Sequence, residues 1–222
     1  MNLLGFDTST AATSACLLRA DGELFEVVPP VEALFAPPGH ARELLPALAE
    51  VLERGGVDWR DVNAIGVGVG PGTFTGLRIG VATARALAHA HGAELRPVSS
   101  LAALAEGIEA ETRLPVLDAK RGEVYAALYE QRDQLWEPLA LAPDELAERL
   151  RNAAARPLAA GDGSVQFRGV LEAAGVRVAP DDSEFHVVRG LHVCRLASAA
   201  PTMAPEGVLP RYLRLPDAKP QR

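Results

Sequence analysis

Hydrophobic positions in the first part of the chain change from short continuous runs to a helical spacing. Apolar runs at 2–6, 12–18 and 23–28 predict three successive strands, because polar turns rich in Asp, Thr, Ser and Gly separate them. Between residues 41 and 54, apolar side chains recur at i, i+3, i+4, i+7 and i+11, the spacing of one helix face. This spacing predicts an amphipathic helix that ends at Gly55-Gly56.

The following segment continues with strands and helices in alternation. An apolar strand is predicted at 62–69, a glycine-rich loop at 70–76 and a helix at 77–91. A further strand at 95–98 leads into a serine-capped helix at 99–109. Strands that alternate with helices at this pace predict an α/β layered domain.

The second half of the chain repeats the opening pattern. A strand, a polar turn that begins with Asp118 and a second strand follow each other, as they do around Asp7, 111 positions earlier (118 − 7). The repeat predicts a structural duplication into two lobes, 1–110 and 111–222, with mixed sheets flanked by helices. Beyond the repeat, the pattern predicts a hairpin at 130–136, a helix at 143–151, a strand at 158–160, helices at 165–174 and 187–199, and a frayed Pro-rich tail from Pro201.

Composition narrows the class of protein. The 222 residues are 48% hydrophobic, which supports a packed core and excludes global disorder. The formal net charge of −7 disfavours a stand-alone nucleic-acid binder, because phosphate contact needs positive charge. With two cysteines, the chain has too few for a disulfide scaffold or a cysteine-based zinc site. The start of the chain does not resemble a signal peptide, and no apolar run reaches the roughly 18 residues of a membrane span. We therefore expect a soluble, cytoplasmic protein with no membrane association.

The glycine-rich loop GPGTFTG is the most specific segment for a function. Glycines and a proline between a strand and a helix force a tight turn that aims backbone N–H groups and the helix N-terminus at one point. This geometry favours an anion, so Gly70, Gly72 and Thr73, with Asp7, are candidate anion-site residues. The alternative is a turn in which glycine only lets the helix and the strand pack closely. The loop has neither the Walker nor the dinucleotide-binding pattern.

Two aspartates and the histidines are the other candidates for chemistry. Asp7 and Asp118 could face each other across a cleft and hold a metal–phosphate group, or each could cap its own turn. No two of the five histidines have the i, i+4 spacing of a helical zinc pair, and no nucleophile elbow is present. His40 could act in catalysis, although a lone histidine before a helix is more often a cap or a surface residue. The residues therefore indicate no catalytic group and no metal site.

Four segments together resemble a known family. They are LLGFDTS at 3–9, GPGTFTGLRIG at 70–80, DAKRGEVY at 118–125 and PRYLR at 210–214. In this order, and over nearly the whole chain, they are similar to the bacterial TsaB (YeaZ) family of threonylcarbamoyladenosine biosynthesis proteins. The resemblance implies a two-lobed, actin-like ATPase fold of the ribonuclease H-like type, as in sugar kinases and Hsp70. It also implies a role in forming threonylcarbamoyladenosine at position 37 of tRNAs that read codons starting with A.

The resemblance also implies which chemistry is missing. The catalytic relative TsaD carries an HxxxH metal motif just after the strand that follows the glycine-loop helix, and here that place holds Ser100 and Leu104. Serine and leucine cannot replace two imidazoles on a metal ion. The second lobe is also shorter than an ATP-binding lobe would need. The resemblance therefore implies a non-catalytic subunit with no metal and no cofactor.

The same resemblance implies partners for the chain. They are TsaD, which the chain would bind and support, and the ATPase TsaE in the same assembly, with tRNA reached only through the complex. The isolated chain is expected to be a homodimer. The alternatives are a metallopeptidase, as the related glycoprotease label suggests, or an ATP-dependent transferase in its own right.

A candidate partner surface follows from the two helices of the first lobe. Each helix needs one apolar stripe to cover a sheet, and both have more apolar surface than that. The excess predicts a helix–helix interface for self-association and for TsaD. Its residues are Leu48, Val51, Leu52, Ile79, Ala82, Ala86 and Ala90. The alternative is that these helices are buried inside their own lobe.

Overall fold

A computed structural model describes residues 1–131, 133–153 and 156–213, which contain two five-stranded sheets. The strands of the first sheet are β1 (Leu3–Asp7), β2 (Ser14–Leu18), β3 (Leu24–Val27), β4 (Ala64–Gly68) and β5 (Glu94–Val98). Those of the second sheet are β6 (Thr112–Lys120), β7 (Glu123–Glu130), β8 (Asp133–Leu141), β9 (Leu158–Ala160) and β10 (Arg177–Val178).

The two sheets have the same topology, which confirms the predicted duplication. The first sheet has the order β3-β2-β1-β4-β5, and the second has the matching order β8-β7-β6-β9-β10. In each, the first strand pairs antiparallel with the second and parallel with the fourth: β1 with β2 and β4, β6 with β7 and β9. Both sheets are therefore mixed, as expected for the two lobes.

Helices connect and cover the strands. They are α1 (His40–Gly55), α2 (Phe74–His91), α3 (Ser100–Glu106), α4 (Pro143–Arg151), α5 (Asp162–Gln166), α6 (Arg168–Ala173) and α7 (Gly190–Ala199). Gly56 and Gly92 end α1 and α2 in the left-handed conformation that favours glycine. At the start of α3, the Ser99 hydroxyl accepts the N–H of Ala102 at 3.4 Å, as predicted for a capping serine.

The first sheet lies between two helical layers because its strands alternate their apolar side chains. Leu4 and Phe6 of β1 belong to a core shared with α1 and α2, whereas Leu3 belongs to a core shared with α3 and α7. This second core also contains Leu117 and Tyr125 of the second sheet. The two lobes thus share one hydrophobic core around α3 and α7.

The predicted division at residue 110 is wrong for α7. This helix belongs to the second half of the chain, yet it packs against the first sheet. A Cβ on Gly5 would lie 2.5 Å from the sulfur of Cys194, and a Cβ on Gly66 would lie 2.6 Å from the Cβ of Ala197. The Ser14 hydroxyl also donates to the carbonyl of Val188 at 2.6 Å. Glycines in two strands let α7 approach the first lobe closely.

The predicted frayed tail is also corrected over its described part. The N–H of Met203 donates to the carbonyl of Leu95 at 2.8 Å, and the N–H of Arg211 donates to that of Val69 at 2.7 Å. Val208 is fully buried in the core of the first lobe. Residues 203–213 therefore form a strap along the first lobe, and the rest of the predicted tail, 214–222, lies outside the described residues.

Two smaller differences concern the second lobe. The helix predicted at 165–174 is divided into α5 and α6, because Phe167 between them leaves the helical conformation (φ −112°, ψ 26°). The two-residue strand β10 was not predicted, since its length carries too little periodicity to be noticed.

Candidate functional site

The glycine-rich loop packs directly on the turn between β1 and β2. The N–H of Thr73 donates to the carbonyl of Ser9 at 2.7 Å, and the Thr8 hydroxyl donates to the carbonyl of Gly76 at 2.8 Å. A Cβ on Gly72 would collide with Ser9, and one on Gly76 would collide with the carbonyl of Thr8. These two glycines therefore let the loop pack closely on the β1–β2 turn, and the anion site stays a prediction.

Asp7 caps its own turn and ties it to α3. Its Oδ1 accepts the N–H and the hydroxyl of Ser9 at 2.7 and 2.5 Å, and its Oδ2 accepts the Ser100 hydroxyl at 2.7 Å. Burial raises the pKa of the carboxyl, and the hydrogen bonds from Ser9 and Ser100 act in the opposite direction. Asp7 is almost fully buried, and these hydrogen bonds join β1 to α3.

Asp118 caps the corresponding turn of the second lobe. Its Oδ1 accepts the N–H of Lys120 at 2.7 Å, and its Oδ2 accepts the Lys120 ammonium at 2.6 Å. The Lys120 side chain is 65% exposed, so this turn opens toward solvent. Turn capping, the alternative weighed for both aspartates, is confirmed at both positions.

Asp162 is a buried acid that sequence analysis missed. Its Oδ1 accepts the N–H of Asp118 at 3.0 Å and the N–H of Gly163 at 2.9 Å. Burial raises its pKa to about 6, the two N–H bonds lower it, and the neighbouring charge of Asp118 raises it further. An acid in the first turn of a helix was the available signal, but α5 was not predicted to start there.

His40 is neither a surface residue nor the cap of its helix. It is 3% exposed, its Nδ1 lies 2.8 Å from the Thr13 hydroxyl, and its Nε2 donates to the carbonyl of Thr10 at 3.0 Å. The Thr13 hydroxyl also lies 3.1 Å from Glu43 Oε2. Burial lowers the pKa of His40. Because both ring nitrogens have partners in the fold, His40 holds α1 against the β1–β2 connection.

Ser100 and Leu104, which the family resemblance places at a metal motif, supply no pair of metal ligands. The Ser100 hydroxyl is engaged with Asp7 and also accepts the N–H of Gly70 at 3.2 Å. Leu104 is fully buried in the core that the lobes share. Among the residues that the structure describes, no group of three or more His, Cys, Asp or Glu side chains could hold a metal ion.

A cleft of about 620 Å³ lies between the first lobe and the β6–β7 turn of the second. The first lobe lines it with the beginnings of α1 and α2, and the second lobe lines it with the turn from Asp118 to Arg121. Of the candidate anion-site residues, Gly72 and Thr73 line this cleft, whereas Asp7 and Gly70 do not. The four candidate residues therefore do not all lie at one site.

The predicted partner surface is corrected on α1. Leu48, Val51 and Leu52 are buried in the core of the first lobe, so no partner can reach them. The physical reason is that α1 covers both β2 and β3, which widens the stripe that it must bury.

On α2 the predicted surface is mostly accessible. Ala82, Ala86 and Ala90 are exposed and lie on one line of the helix, four residues apart, whereas Ile79 is half-buried and lines the cleft. We call the three exposed alanines the α2 face. The partner role of this face stays a prediction.

The strap reaches the edge of the cleft through Tyr212. The Nε–H of Arg78 donates to the Tyr212 hydroxyl at 3.0 Å, and the Arg78 guanidinium lies 3.6 Å from the centre of the Phe74 ring. The rings of Phe74 and Tyr212 are 5.3 Å apart. Through Tyr212, this cluster fastens the strap to the start of α2.

Two lobes of matching topology with a cleft between them define an actin-like α/β protein. A solved structure of the ethanolamine utilization protein EutJ from Carboxydothermus hydrogenoformans shares this fold, with a TM-score of 0.52. The match is 14% identical and covers 87% of this chain and 89% of that one. No helix in the described part of the chain is both long and apolar enough to cross a membrane.

Within this class, the comparisons show the family. The model of the TsaD family, described as tRNA N6-adenosine threonylcarbamoyltransferase, matches residues 27–168, more than half of the chain. The chain therefore belongs to the TsaD family, whose description is that of a tRNA-modifying protein. No curated protein sequence matches it.

Two solved structures are similar over the whole length. YeaZ from Pseudomonas aeruginosa is 30% identical, with a TM-score of 0.79, and the match covers 96% of this chain and 99% of that one. A second structure, an uncharacterized protein with similarity to peptidase YeaZ from the same organism, gives the same values. The resemblance to the TsaB (YeaZ) side of the family is confirmed.

Proposed function

We propose that this chain is a non-catalytic subunit in the formation of threonylcarbamoyladenosine at position 37 of tRNAs that read codons starting with A. It acts in the cytoplasm by binding and supporting the catalytic subunit TsaD. The proposal rests on the surroundings of Ser100 and Leu104, which stand at the positions of the TsaD metal motif. One is bound to Asp7 and the other is buried among apolar side chains.

These two positions support a structural role over a catalytic one. A metal at Ser100 would compete with the hydrogen bond that holds Asp7, and removing that donor would leave part of a buried carboxyl unpaired. Leu104 has no donor atom at all. Both side chains therefore stabilise the fold, Ser100 by a hydrogen bond and Leu104 by packing. In this proposal the chain contributes to the reaction by binding TsaD.

The α2 face is the surface that we assign to TsaD. Alanines four residues apart leave a smooth line on which a partner helix can approach closely, and such packing supports an interface. Arg78 and Arg85 flank the line and would supply its polar rim. A second copy of the chain would use the same face when TsaD is absent, which gives a homodimer. TsaE joins the assembly, and tRNA is reached through the complex.

A charge placed on the α2 face tests this assignment. Ala86→Arg should fold normally, because Ala86 is exposed, yet it should weaken binding to purified TsaD at least 30-fold by leaving an unpaired charge in the interface. The matched control is Ala173→Arg, an exposed alanine at the end of α6 in the second lobe. Calorimetric titration measures the affinities, and light scattering measures the self-association. Wild-type affinity for TsaD in the folded Ala86→Arg protein would contradict the assignment.

Reconstitution separates the subunit from an enzyme. The chain alone should retain no stoichiometric zinc or iron after dialysis against a weak chelator, cleave no protein and modify no tRNA. Added to TsaD and TsaE with tRNA, ATP and a threonylcarbamoyl donor, it should be required for product. Stoichiometric metal, peptide cleavage or tRNA modification by the isolated chain would instead favour the metallopeptidase or the ATP-dependent transferase.

A further inference from the structure

The chain's two cysteines meet where α7 packs on the first sheet. Cys16 is the central residue of β2, Cys194 lies near the middle of α7, and both are fully buried. They are 178 positions apart in the sequence (194 − 16), so the packing of α7 on the first lobe is what brings them together. The proposed subunit function makes no use of either thiol.

The side chain of Cys16 points toward α7. Successive side chains of a strand lie on opposite faces of the sheet. Ala15 and Leu17 belong to the core shared with α1 and α2, whereas Cys16 belongs to the core that contains Val193 and Cys194. Cys16 therefore presents its thiol to the helix that carries the second thiol.

Two glycines let α7 approach β2 closely at this point. Gly5 pairs with Cys16 in the β1–β2 ladder, and a Cβ on Gly5 would lie 2.5 Å from the sulfur of Cys194. A Cβ on Gly190, one helical turn before Cys194, would lie 2.7 Å from the backbone nitrogen of Cys16. A side chain at either glycine would therefore push α7 and its thiol away from β2.

The two thiols are near enough to influence each other. The Cys194 thiol donates to the carbonyl of Cys16 at 3.4 Å, which places its sulfur within about 6 Å of the Cys16 Cα. Burial raises the pKa of the Cys194 thiol, and the neighbouring Cys16 thiol raises it further. Because the thiolate is the reactive form, this environment protects Cys194 from oxidants as long as α7 stays in place.

We propose that Cys16 and Cys194 are a redox-sensitive pair that forms a disulfide by exchange with a small-molecule disulfide such as glutathione disulfide. When local opening lifts α7, the Cys194 thiol loses its proton to water, and the thiolate attacks one sulfur of the oxidant. A mixed disulfide forms and one glutathione thiolate leaves. The Cys16 thiolate then attacks the Cys194 sulfur and releases the second glutathione. In total the two protein thiols lose two electrons and two protons, and glutathione disulfide becomes two molecules of glutathione.

The disulfide fixes the joint between the lobes. Val193 and Ala197 of α7 lie in the core that both lobes share, so a bond from this helix to β2 keeps that core closed. Reducing conditions leave the pair as thiols, and an excess of disulfide converts it. The inference does not depend on the partner role of the α2 face, because α2 covers the opposite face of the first sheet.

Equilibration of the full chain with mixtures of reduced and oxidised glutathione tests the proposal. The reaction is followed from both the reduced and the oxidised protein, with and without concentrated urea. Trypsin leaves Cys16 in the peptide 1–19 and Cys194 in the peptide 190–195, so mass spectrometry of the linked pair measures the disulfide. The equilibrium constant for its formation should be about a hundredfold larger in the folded chain, because the unfolded chain must close a long loop to form the same bond.

Three results would overturn the proposal. They are an equilibrium constant in the folded chain no larger than in urea, mixed disulfides with glutathione in place of the linked peptides, and no exchange in the folded chain. The first would mean that the fold holds the sulfurs in a geometry unfit for a bond, and the third that α7 does not open.

Cys16→Ala is the matched control, since it keeps Cys194 and removes its partner. By linkage, oxidation of the wild type should lower its unfolding equilibrium constant by the same hundredfold factor, and urea denaturation measures this as a higher midpoint. Glutathione disulfide should not raise the midpoint of the variant. An equal rise in both proteins would contradict the pairing. The comparison of folded and unfolded wild type needs no variant, so it decides the proposal even if Cys16→Ala does not fold.

Discussion

The two lobes have the same strand order, yet they use their aspartate turns differently. In the first lobe, Asp7 is enclosed by Ser9 and Ser100, and no part of it reaches the cleft. In the second lobe, Asp118 is held by the largely exposed Lys120, and both residues line the cleft. A duplicated turn can thus be an internal joint in one copy and part of the wall of a cleft in the other.

The difference comes from what covers each turn. The glycine-rich loop lies on the first turn at a distance that excludes a side chain at Gly72 or Gly76. The second turn is instead bounded by Gly163 at the start of the short helix α5, which packs under it and leaves its tip free. The tight loop buries the first turn, whereas the Lys120 side chain at the second turn stays 65% exposed.

Removing each carboxylate is the most direct way to break the comparison. Asp7→Ala should lower the free energy of unfolding by about 3 kcal/mol, because the N–H of Ser9 and the hydroxyls of Ser9 and Ser100 lose a buried acceptor. Asp118→Ala should cost about 1 kcal/mol or less, since water can replace the carboxylate beside an exposed ammonium group. Urea denaturation at pH 7 measures both. Equal losses in the two variants would show that the turns are equivalent after all.

The sequence predicted the repeated turn but not its two uses. Apolar runs and helical spacing depend on local contacts, so nearly all strands of the first lobe and the helices α1, α2 and α4 were predicted close to their observed positions. The burial of Leu48, Val51 and Leu52 was not predicted. Periodicity shows that a helix side is apolar, but it does not show how many strands that side must cover.

The packing of α7 against the first lobe was also not predicted, although the sequence contained a signal for it. Gly5 and Gly66 lie inside predicted strands, where glycine often marks a close approach of other backbone. These approaches join residues 189 (194 − 5) and 131 (197 − 66) positions apart, and no local pattern encodes the partner. The cleft has the same origin, because its two walls come from separate halves of the chain.

A methyl group added between β4 and α7 should also destabilise the protein, by less than Asp7→Ala does. Gly66→Ala should destabilise the protein by about 2 kcal/mol, because its Cβ would lie 2.6 Å from that of Ala197 and force α7 outward. Gly169→Ala is the matched control in the second lobe, where an added Cβ meets nothing within 4 Å. That helical position should gain up to about 1 kcal/mol from the better helix former. A stability gain in both variants would show that α7 does not depend on the close approach.

Buried titratable groups in the two regions respond to pH in opposite directions. Burial lowers the pKa of His192 on α7 to about 4, with Arg189 and Arg195 contributing in the same direction. Its ordinary value is 6.5, so the unfolded chain binds the extra proton between these values and stability is lost as the pH falls from 6.5 to 4. The pKa of Asp162 rises from 3.8 to about 6, so the folded chain binds the extra proton and stability is lost as the pH rises from 3.8 to 6.

The smallest expected effect is a change in how the free energy of unfolding depends on pH, and it distinguishes the contribution of Asp162 from that of His192. At pH 5 the protonation of Asp162 offsets part of the loss caused by His192, and Asp162→Asn removes that offset while its Oδ1 still accepts the N–H groups of Asp118 and Gly163. Between pH 7 and pH 5, the variant should therefore lose about 1 kcal/mol more unfolding free energy than the wild type. Urea denaturation at the two pH values measures this, with Asp182→Asn, an exposed carboxyl of the same lobe, as the control. If Asp162→Asn and Asp182→Asn lose the same amount as the wild type, Asp162 carries its charge in the fold at pH 5, and the second lobe has no acid that opposes the histidine on α7.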